Sequence, residues 1–556
     1  MSRPDTELIR DNPSPLRRSD ETWSDFEKGY VPESLNDLLR KRVGETPDSV
    51  FAEWFEQGES LTFRQLDESA ARLASSLSAL GVRKTSHVAA LMTGGPEFFF
   101  LWFALLRLGA VLVPINDKYT PGEIAYVVND SDAQFLIASD ALLDVARTAE
   151  ASFNAVEPVR IVPYRQADTE GPTLQQLMDE GDPLFAPSEA VFPSDVANIQ
   201  YTSGTTGFPK GCILTHEFYS MFTKVGASIR NPESQAHNVL NWAPLFYIDG
   251  QTMSLMALTS GATLFVPRKM SATHFVDWLR DYQINICTLP EPVARIIMKT
   301  GITADLHLKH VNAFNWHNEV RAYFVNSTGI TARNAYGMTE IGATLLTPRS
   351  AATQAVTPTV GIPGPFRDVR IMRPDGSEVT HGETGELWVR GKAMFLGYYK
   401  RAKANSESFC GEWFRTGDLF RQDEHGYFQI VGRTKEMIKR AGENIAAREV
   451  EASVKSVDGV EDAIVIAAPD PVRVEEVFAI VKTSLPPTEH TALTASILER
   501  CSRELAAFKV PRYVQFVTDF PYTPTGKIKR ADVVGQVSDL LADCYDRKRN
   551  GALAPG

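Results

Sequence analysis

The chain has 556 residues, 43% apolar and 23% charged, a balance that excludes a disordered or low-complexity polymer and a length that exceeds one compact domain. Its net charge of −12 offers no overall basic footprint for nucleic acid or an anionic membrane. Five widely spaced cysteines, Cys212, Cys287, Cys410, Cys501 and Cys544, suit neither a disulfide framework nor a Cys-rich zinc site, so a reducing, cytoplasmic setting is expected.

In chain order, the first thirty residues read as a weakly structured arm, and Met1–Asp20 is polar, without the apolar core of a secretory signal. Thr62 with Gln65 makes a capping box. Leu66, Ala70, Leu73, Leu77 and Leu80 then recur at helical spacing up to Gly81, which predicts a helix buried along one face. Val88–Met92 reads as a short buried strand. Phe98–Ile115 is apolar, but Arg107 interrupts it, and an arginine at mid-bilayer costs about 2.5–3.5 kcal/mol. A buried helix, then Gly109, then a Val111–Pro114 strand is the better reading, so no integral membrane segment is expected. Ala262–Val266 (strand), His274–Tyr282 (helix) and Ile284–Leu289 (strand) repeat the alternation. Strands that are continuous apolar runs between helices imply mostly parallel sheets covered on both faces.

Past Gly385, glycines crowd into short strands such as Gly385–Gly391, which predicts a small β-barrel-like element. After Gly432 comes the charged run Arg433-Thr434-Lys435-Glu436, and the rest reads helix, strand, strand, helix, strand, with a frayed tail from Tyr545. The expectation is an α/β protein: a large N-terminal domain of covered, mostly parallel sheets plus the barrel-like element over residues 1–432, and a small α+β C-terminal domain over 433–556.

The stretch richest in chemistry is Tyr201-Thr202-Ser203-Gly204-Thr205-Thr206-Gly207-Phe208-Pro209-Lys210-Gly211, bracketed by apolar Val196–Ile199 and Cys212–Leu214. Small hydroxylated residues and glycines between two strands bring backbone N–H groups, threonine hydroxyls and a lysine close to phosphate oxygens. The glycine–lysine spacing is not that of a Walker loop, and no Ser or Thr follows Lys210. A generic Gly/Thr-rich loop is a surface hairpin tip; the full pattern is far more specific.

That pattern closely resembles the phosphate-binding signature of the adenylate-forming superfamily, which contains acyl-CoA synthetases, luciferases and peptide-synthetase adenylation domains. The resemblance runs from about Thr62 to Arg530. Tyr336-Gly337-Met338-Thr339-Glu340 is similar to the family's second signature, which implies phosphate contact by Thr339 and a Mg²⁺ ligand in Glu340. Thr416-Gly417-Asp418 resembles the ribose site, with Asp418 accepting from the ribose hydroxyls and Arg433 contacting ribose or phosphate. Lys435 falls at the family's interdomain hinge. Ile438–Ile445, with Gly442, Glu443 and Asn444, looks like the segment near the thiol acceptor, and Ala441 departs from the glycine pair usual there. Pro521–Ile528 resembles the terminal signature, which assigns Lys527 to adenylation. The resemblance therefore implies a mobile C-terminal domain rotating about Lys435.

The acyl side departs more from the family. Asn312-Ala313-Phe314-Asn315-Trp316-His317 stands where a Gly-Ala-Ala-Pro-like turn is common, and Tyr247 where many acyl-CoA synthetases carry histidine. Both resemble the carnitine/crotonobetaine-CoA ligase branch more than the long-chain one. Phe246, Tyr247, Phe314 and Trp316 either line an acyl pocket, stacking on an aromatic acid or facing a quaternary ammonium, or are core packing. The implied activity is an ATP-dependent carboxylate–CoA ligase, with a small carboxylic acid, ATP and coenzyme A as substrates, Mg²⁺ as cofactor, no nucleic acid partner, and a homodimer compatible with all of this. Acyl delivery to a carrier protein and a non-catalytic nucleotide-binding homologue are the alternatives.

Overall fold

The computed structural model describes residues 21–154, 157–166, 171–202, 209–230, 237–301, 306–314, 316, 318–348, 359–440, 443–470, 473–505, 507–522 and 528–549. Two compact units emerge. One holds Arg17–Asp368 with Val389–Glu412, and the other holds Val369–Trp388 with Trp413–Gly556.

Besides a small antiparallel sheet of Ala335–Met338, Gly342–Leu346 and Ile362–Pro363, the first unit is built on two larger sheets. In one, Arg160–Pro163, Phe135–Ala138, His87–Leu91, Val111–Pro114 and Val196–Thr202 lie in that order, and Lys210–Thr215 closes the edge. All neighbours are parallel except the last pair, Val196–Thr202 with Lys210–Thr215. The other sheet runs Thr331–Arg333, His310–Asn312, Ile286–Thr288, Asn238–Leu240, Thr263–Phe265, Val50–Trp54 and Glu59–Thr62, and only its final pair is antiparallel. Apolar runs between helices produced this arrangement, because a parallel strand is buried on both faces by its crossovers.

The helices start where the local chemistry says they should. Thr62 accepts from the Gln65 backbone while the Gln65 side chain accepts from the Thr62 N–H, and the helix Phe63–Ala79 buries Leu66, Ala70, Leu73 and Leu77. Each such leucine contributes about 1.5–3 kcal/mol by leaving water. The apolar segment with Arg107 is the buried helix Pro96–Leu108. Arg107 donates to the Phe185 carbonyl at 3.3 Å and pairs with Asp67. Among the described residues, no helix is long and apolar enough to cross a membrane.

The second unit contains the strands Trp413–Gln422 and Phe428–Arg433. It continues with helix Ala447–Lys455, strands Asp462–Asp470 and Val474–Lys482, helix His490–Glu504 and strand Tyr513–Val517, the order read from the sequence. The Gly432–Lys435 boundary falls inside this unit, between Phe428–Arg433 and Met437–Arg440.

Two end segments differ from expectation. Glu21–Gly29 of the supposed arm is a helix, with Trp23 6% exposed. Its Glu27 carboxylate accepts from the Phe366 N–H at 2.6 Å, and the Tyr30 ring lies 5.3 Å from that of Phe366. At the other end, Tyr545–Asp546 is not frayed: it pairs with Tyr513–Val517, and Asp546 takes the Arg512 guanidinium at 3.1 Å. In both segments the partners that impose order are remote in sequence.

One buried group sets a pH limit on stability. His216 follows the Lys210–Thr215 strand, is fully buried, and its Nδ1 accepts from the Leu35 N–H at 3.3 Å. Burial, with Lys84 adding to it and Asp195 and Asp37 opposing, holds its pKa at about 4 instead of 6.5. The fold therefore keeps it neutral while the unfolded chain takes up a proton below about 6.5. Its contribution is full above that pH and is lost as the pH falls toward 4, by up to about 3 kcal/mol. Urea midpoints at pH 7 and pH 5 should differ more for the natural chain than for His216→Gln; an identical pH dependence would refute the assignment.

Candidate active site

The two strands that bracket the Gly/Thr-rich motif pair with each other. Val196–Thr202 and Lys210–Thr215 are antiparallel, with Thr202 opposite Lys210, so the two ends of the motif are the two legs of a hairpin. Ser203, Gly204, Thr205, Thr206 and Gly207 lie outside the described residues. The legs are anchored from both sides. Tyr126 Oη donates to the Pro209 carbonyl at 2.8 Å, and Tyr201 Oη donates to Asp130, which also takes Arg401 at 2.5 Å. A further segment runs beside the Lys210–Thr215 strand. Tyr399 N donates to the Gly211 carbonyl, Ile213 N to that of Gly397, and Leu396 N to that of Ile213, at 2.8, 3.0 and 2.9 Å.

The second signature forms another hairpin. Ala335–Met338 pairs antiparallel with Gly342–Leu346, leaving Thr339 and Glu340 at the tip. Gly337 is required there, since a Cβ would stand 2.5 Å from the Gly342 carbonyl oxygen. Tyr336 is buried beneath it. Glu340 is only 7% exposed, an unusual place for a loop glutamate, and it is held at two points. Its carbonyl accepts from the Phe395 N–H at 2.9 Å, and its Oε1 accepts from Tyr398 Oη at 2.7 Å. The next residue, Ile341, gives its carbonyl to Arg367 Nε at 3.1 Å. Arg367 is buried and also donates to the Lys392 carbonyl at 2.7 Å; desolvation brings its pKa down to about 10. Lys210 Nζ sits 4.4 Å from the centroid of the Tyr398 ring. Lys210 and Glu340, far apart in sequence, thus meet on one tyrosine.

Tyr398 and Arg367 escaped the sequence reading. A Gly-Tyr-Tyr after a strand carries no local signal; what marks it is its pairing with Gly211 and Ile213, which only the fold reveals. Cys212, beside the loop, is fully buried, and burial raises its thiol pKa well above the ordinary value, so it is no nucleophile.

In the second unit, Asp418 is opposite Arg433 in the antiparallel pair of strands, and Arg433 Nε lies 2.8 Å from Asp418 Oδ1. Gly417 has φ of 70°, the left-handed turn that lets Thr416 Oγ1 accept from the Asp418 N–H at 3.1 Å and donate to the Leu387 carbonyl at 2.7 Å. Asp418 is 5% exposed. Glu443 and Asn444 lie in the hairpin strand that pairs with Met437–Arg440, and Lys435 in the short Thr434–Glu436 helix; only their backbone placement is described. Gly442 and Lys527 lie outside the described residues, as do Asn315 and His317.

The acyl-side aromatics divide. Trp316 is a core residue, 4% exposed, with its Nε1 donating to the Leu289 carbonyl at 2.9 Å and its ring 4.9 Å from that of Phe324. Its face and its donor are both committed to packing. Phe314 is 40% exposed. Tyr247 stands just before helix Ile248–Ser260 without a side-chain capping bond, its Oη accepts from Asn116 Nδ2 at 2.9 Å, and burial pushes its pKa up to about 12. A buried amide network fixes this corner against the Val196–Thr202 strand: Gln200 donates to the Phe246 carbonyl at 2.8 Å, and Gln251 to that of Leu245 at 2.9 Å. Beside Tyr247, Asp117 follows the carboxyl end of the Val111–Pro114 strand, the end at which parallel sheets bind ligands. Its Oδ1 is buried with no hydrogen-bond partner among the described residues, and desolvation raises its pKa.

The family model for AMP-binding enzymes matches residues 39–399, and that for the AMP-binding enzyme C-terminal domain matches residues 449–527. The chain belongs to the AMP-binding enzyme family. A crotonobetaine/carnitine–CoA ligase of Proteus mirabilis is 30% identical over 479 residues, 84% of this chain and 92% of that protein. Among solved structures, an anthranilate CoA ligase in complex with anthranoyl-AMP superposes with a TM-score of 0.82 at 22% identity, over 94% of this chain and 99% of that one. A Mycobacterium tuberculosis fatty acyl CoA synthetase does so with a TM-score of 0.70 at 26% identity, over 91% and 98%. As an AMP-binding enzyme with a large, parallel-rich α/β portion and a smaller C-terminal one, the chain has the architecture that the motifs implied.

Proposed function

We propose that this AMP-binding enzyme is a carboxylate–CoA ligase that works in two steps. A carboxylate oxygen attacks the α-phosphorus of ATP, the bond to pyrophosphate breaks, and acyl-AMP forms. The sulfur of coenzyme A then attacks the acyl carbon, the acyl–phosphate bond breaks, AMP leaves, and the thiol proton passes to water. The convergence of Lys210 and Glu340 on Tyr398 carries this reading. Two anions must approach, and a fixed cation with a fixed acid at the phosphate hairpin is what such a reaction needs from a protein that does no covalent work of its own.

Lys210, Thr202 and the loop between them are assigned to the phosphates, Thr339 to phosphate contact, Tyr336 and Gly337 to the nucleotide wall, and Asp418 with Arg433 to the ribose. Glu340 suits Mg²⁺: it is a hard oxygen donor, and Mg²⁺ takes one or two carboxylates and draws its remaining ligands from water and phosphate. When bound, the ion neutralises phosphate charge. Lys527 is assigned to adenylation and Gly442–Asn444 to the thiol, with Lys435 as the hinge that exchanges them. The five cysteines form no disulfide, which agrees with a cytoplasmic location.

Carboxylate-dependent pyrophosphate release, measured across short aliphatic, aryl, long-chain and cationic acids with and without coenzyme A, tests this reading. Conversion to AMP and thioester supports it. An acid that fires without a coenzyme A effect favours a carrier-protein acceptor, and silence throughout refutes the reading. For the acid itself, Asp117 beside Tyr247 favours a cationic group, because a buried carboxylate oxygen without a partner is costly until a charge meets it. A trimethylammonium acid should outperform its tert-butyl isostere, and Asp117→Asn should reduce that preference about tenfold. An unchanged preference rules out Asp117 as the selector.

A further inference from the structure

We infer that Tyr398 is a positioning residue for adenylation, holding Lys210 over the face of its ring and Glu340 at its hydroxyl; this rests on the roles just proposed for those two. Three observations support it. The Lys210 ammonium faces the ring at 4.4 Å from its centroid, and the hydroxyl of the same ring donates to Glu340 at 2.7 Å. The ring is 6% exposed, so both contacts are made in a poorly screened setting. The tyrosine is itself fixed: its N–H donates to Asn405 Oδ1 at 2.7 Å, its carbonyl accepts from Asn405 Nδ2 at 2.9 Å, and its backbone bridges to Cys212 two residues after Lys210.

The arrangement solves a problem that the chemistry poses. A lysine and a glutamate free to meet would form a direct ion pair, and each would then be partly neutralised before substrate arrived. A shared tyrosine gives each of them a fixed partner and orients both. Donation of the hydroxyl proton toward the carboxylate enriches the ring in electron density, which strengthens its attraction for the ammonium. The cation and the acid are thereby coupled through one side chain, and the ring can be kept while the hydroxyl is removed.

The test compares Tyr398→Phe with Tyr398→Leu. Phenylalanine keeps the face for Lys210 and removes the bond to Glu340; leucine removes both. ATP affinity, measured by calorimetry without acid, should stay within about threefold for Tyr398→Phe and fall about tenfold for Tyr398→Leu. The turnover of pyrophosphate release should fall about tenfold or more in both. In a Glu340→Gln background the Phe substitution should cost little further turnover, because the hydroxyl acts through that carboxylate. Full turnover in Tyr398→Phe, or additive losses in the double variant, would overturn the proposal. So would parallel losses of ATP affinity, turnover and melting temperature in both single variants, the pattern of a merely structural residue. If the natural chain binds ATP but activates no acid, the ligase reading fails, while the ATP affinities still decide whether the ring places Lys210. A chain that binds no ATP sinks both.

Discussion

Glu340→Gln is expected to cut acid-dependent pyrophosphate release by about 100- to 1000-fold, the range seen when one preorganised electrostatic group is removed from a reaction centre. The change is nearly isosteric, and the amide oxygen can still accept from Tyr398. The hairpin tip should also keep its place, since the Phe395 N–H and Arg367 bind backbone carbonyls and not the carboxylate. What is lost is the negative charge of a group only 7% exposed, at a position where solvent cannot replace it. Pyrophosphate release and melting temperature measured on the same preparation separate the two effects. Loss of rate at an unchanged melting temperature is the expected pair. A variant that keeps most of its rate would remove Glu340 from the reaction.

Lys527→Ala should divide the reaction. Adenylation is expected to fall by about 100- to 1000-fold, while thioester formation from preformed acyl-AMP stays within a few-fold of the natural enzyme. The first step brings a carboxylate against a triphosphate and needs a cation near the α-phosphate. The second brings a thiol to an already activated acyl group and needs none there. Tyr522 and Ile528 pair across the segment that carries Lys527, so its two ends are fixed together. Single-turnover assays of each half-reaction decide the matter. Equal losses in both would mean that Lys527 serves binding of the common acyl-AMP and not one step, and the exchange about Lys435 would lose its basis.

The sequence was most legible where structure is local. The Thr62–Gln65 box, the helical spacing that follows it and the Thr202–Lys210 hairpin are each written within a few residues, because capping, periodicity and turn chemistry act over that range. The C-terminal order of helix, strand, strand, helix and strand was readable for the same reason. The helix Glu21–Gly29 was not, since what orders it is Phe366 and its neighbours. Trp316 and Phe314 look alike in sequence, two aromatics in an unusual turn, yet one is spent on the core and the other is exposed.

The sequence by itself determined the α/β alternation and the strands that end at Thr202 and begin at Lys210, because each is encoded in contiguous spacing. Only the tertiary structure decided that Glu340 would be buried, that Arg367 would hold the carbonyl beside it, and that Tyr398 would contact both it and Lys210. Those relations join segments remote in the chain, and burial and pairing of that kind exist only once the strands have been laid side by side.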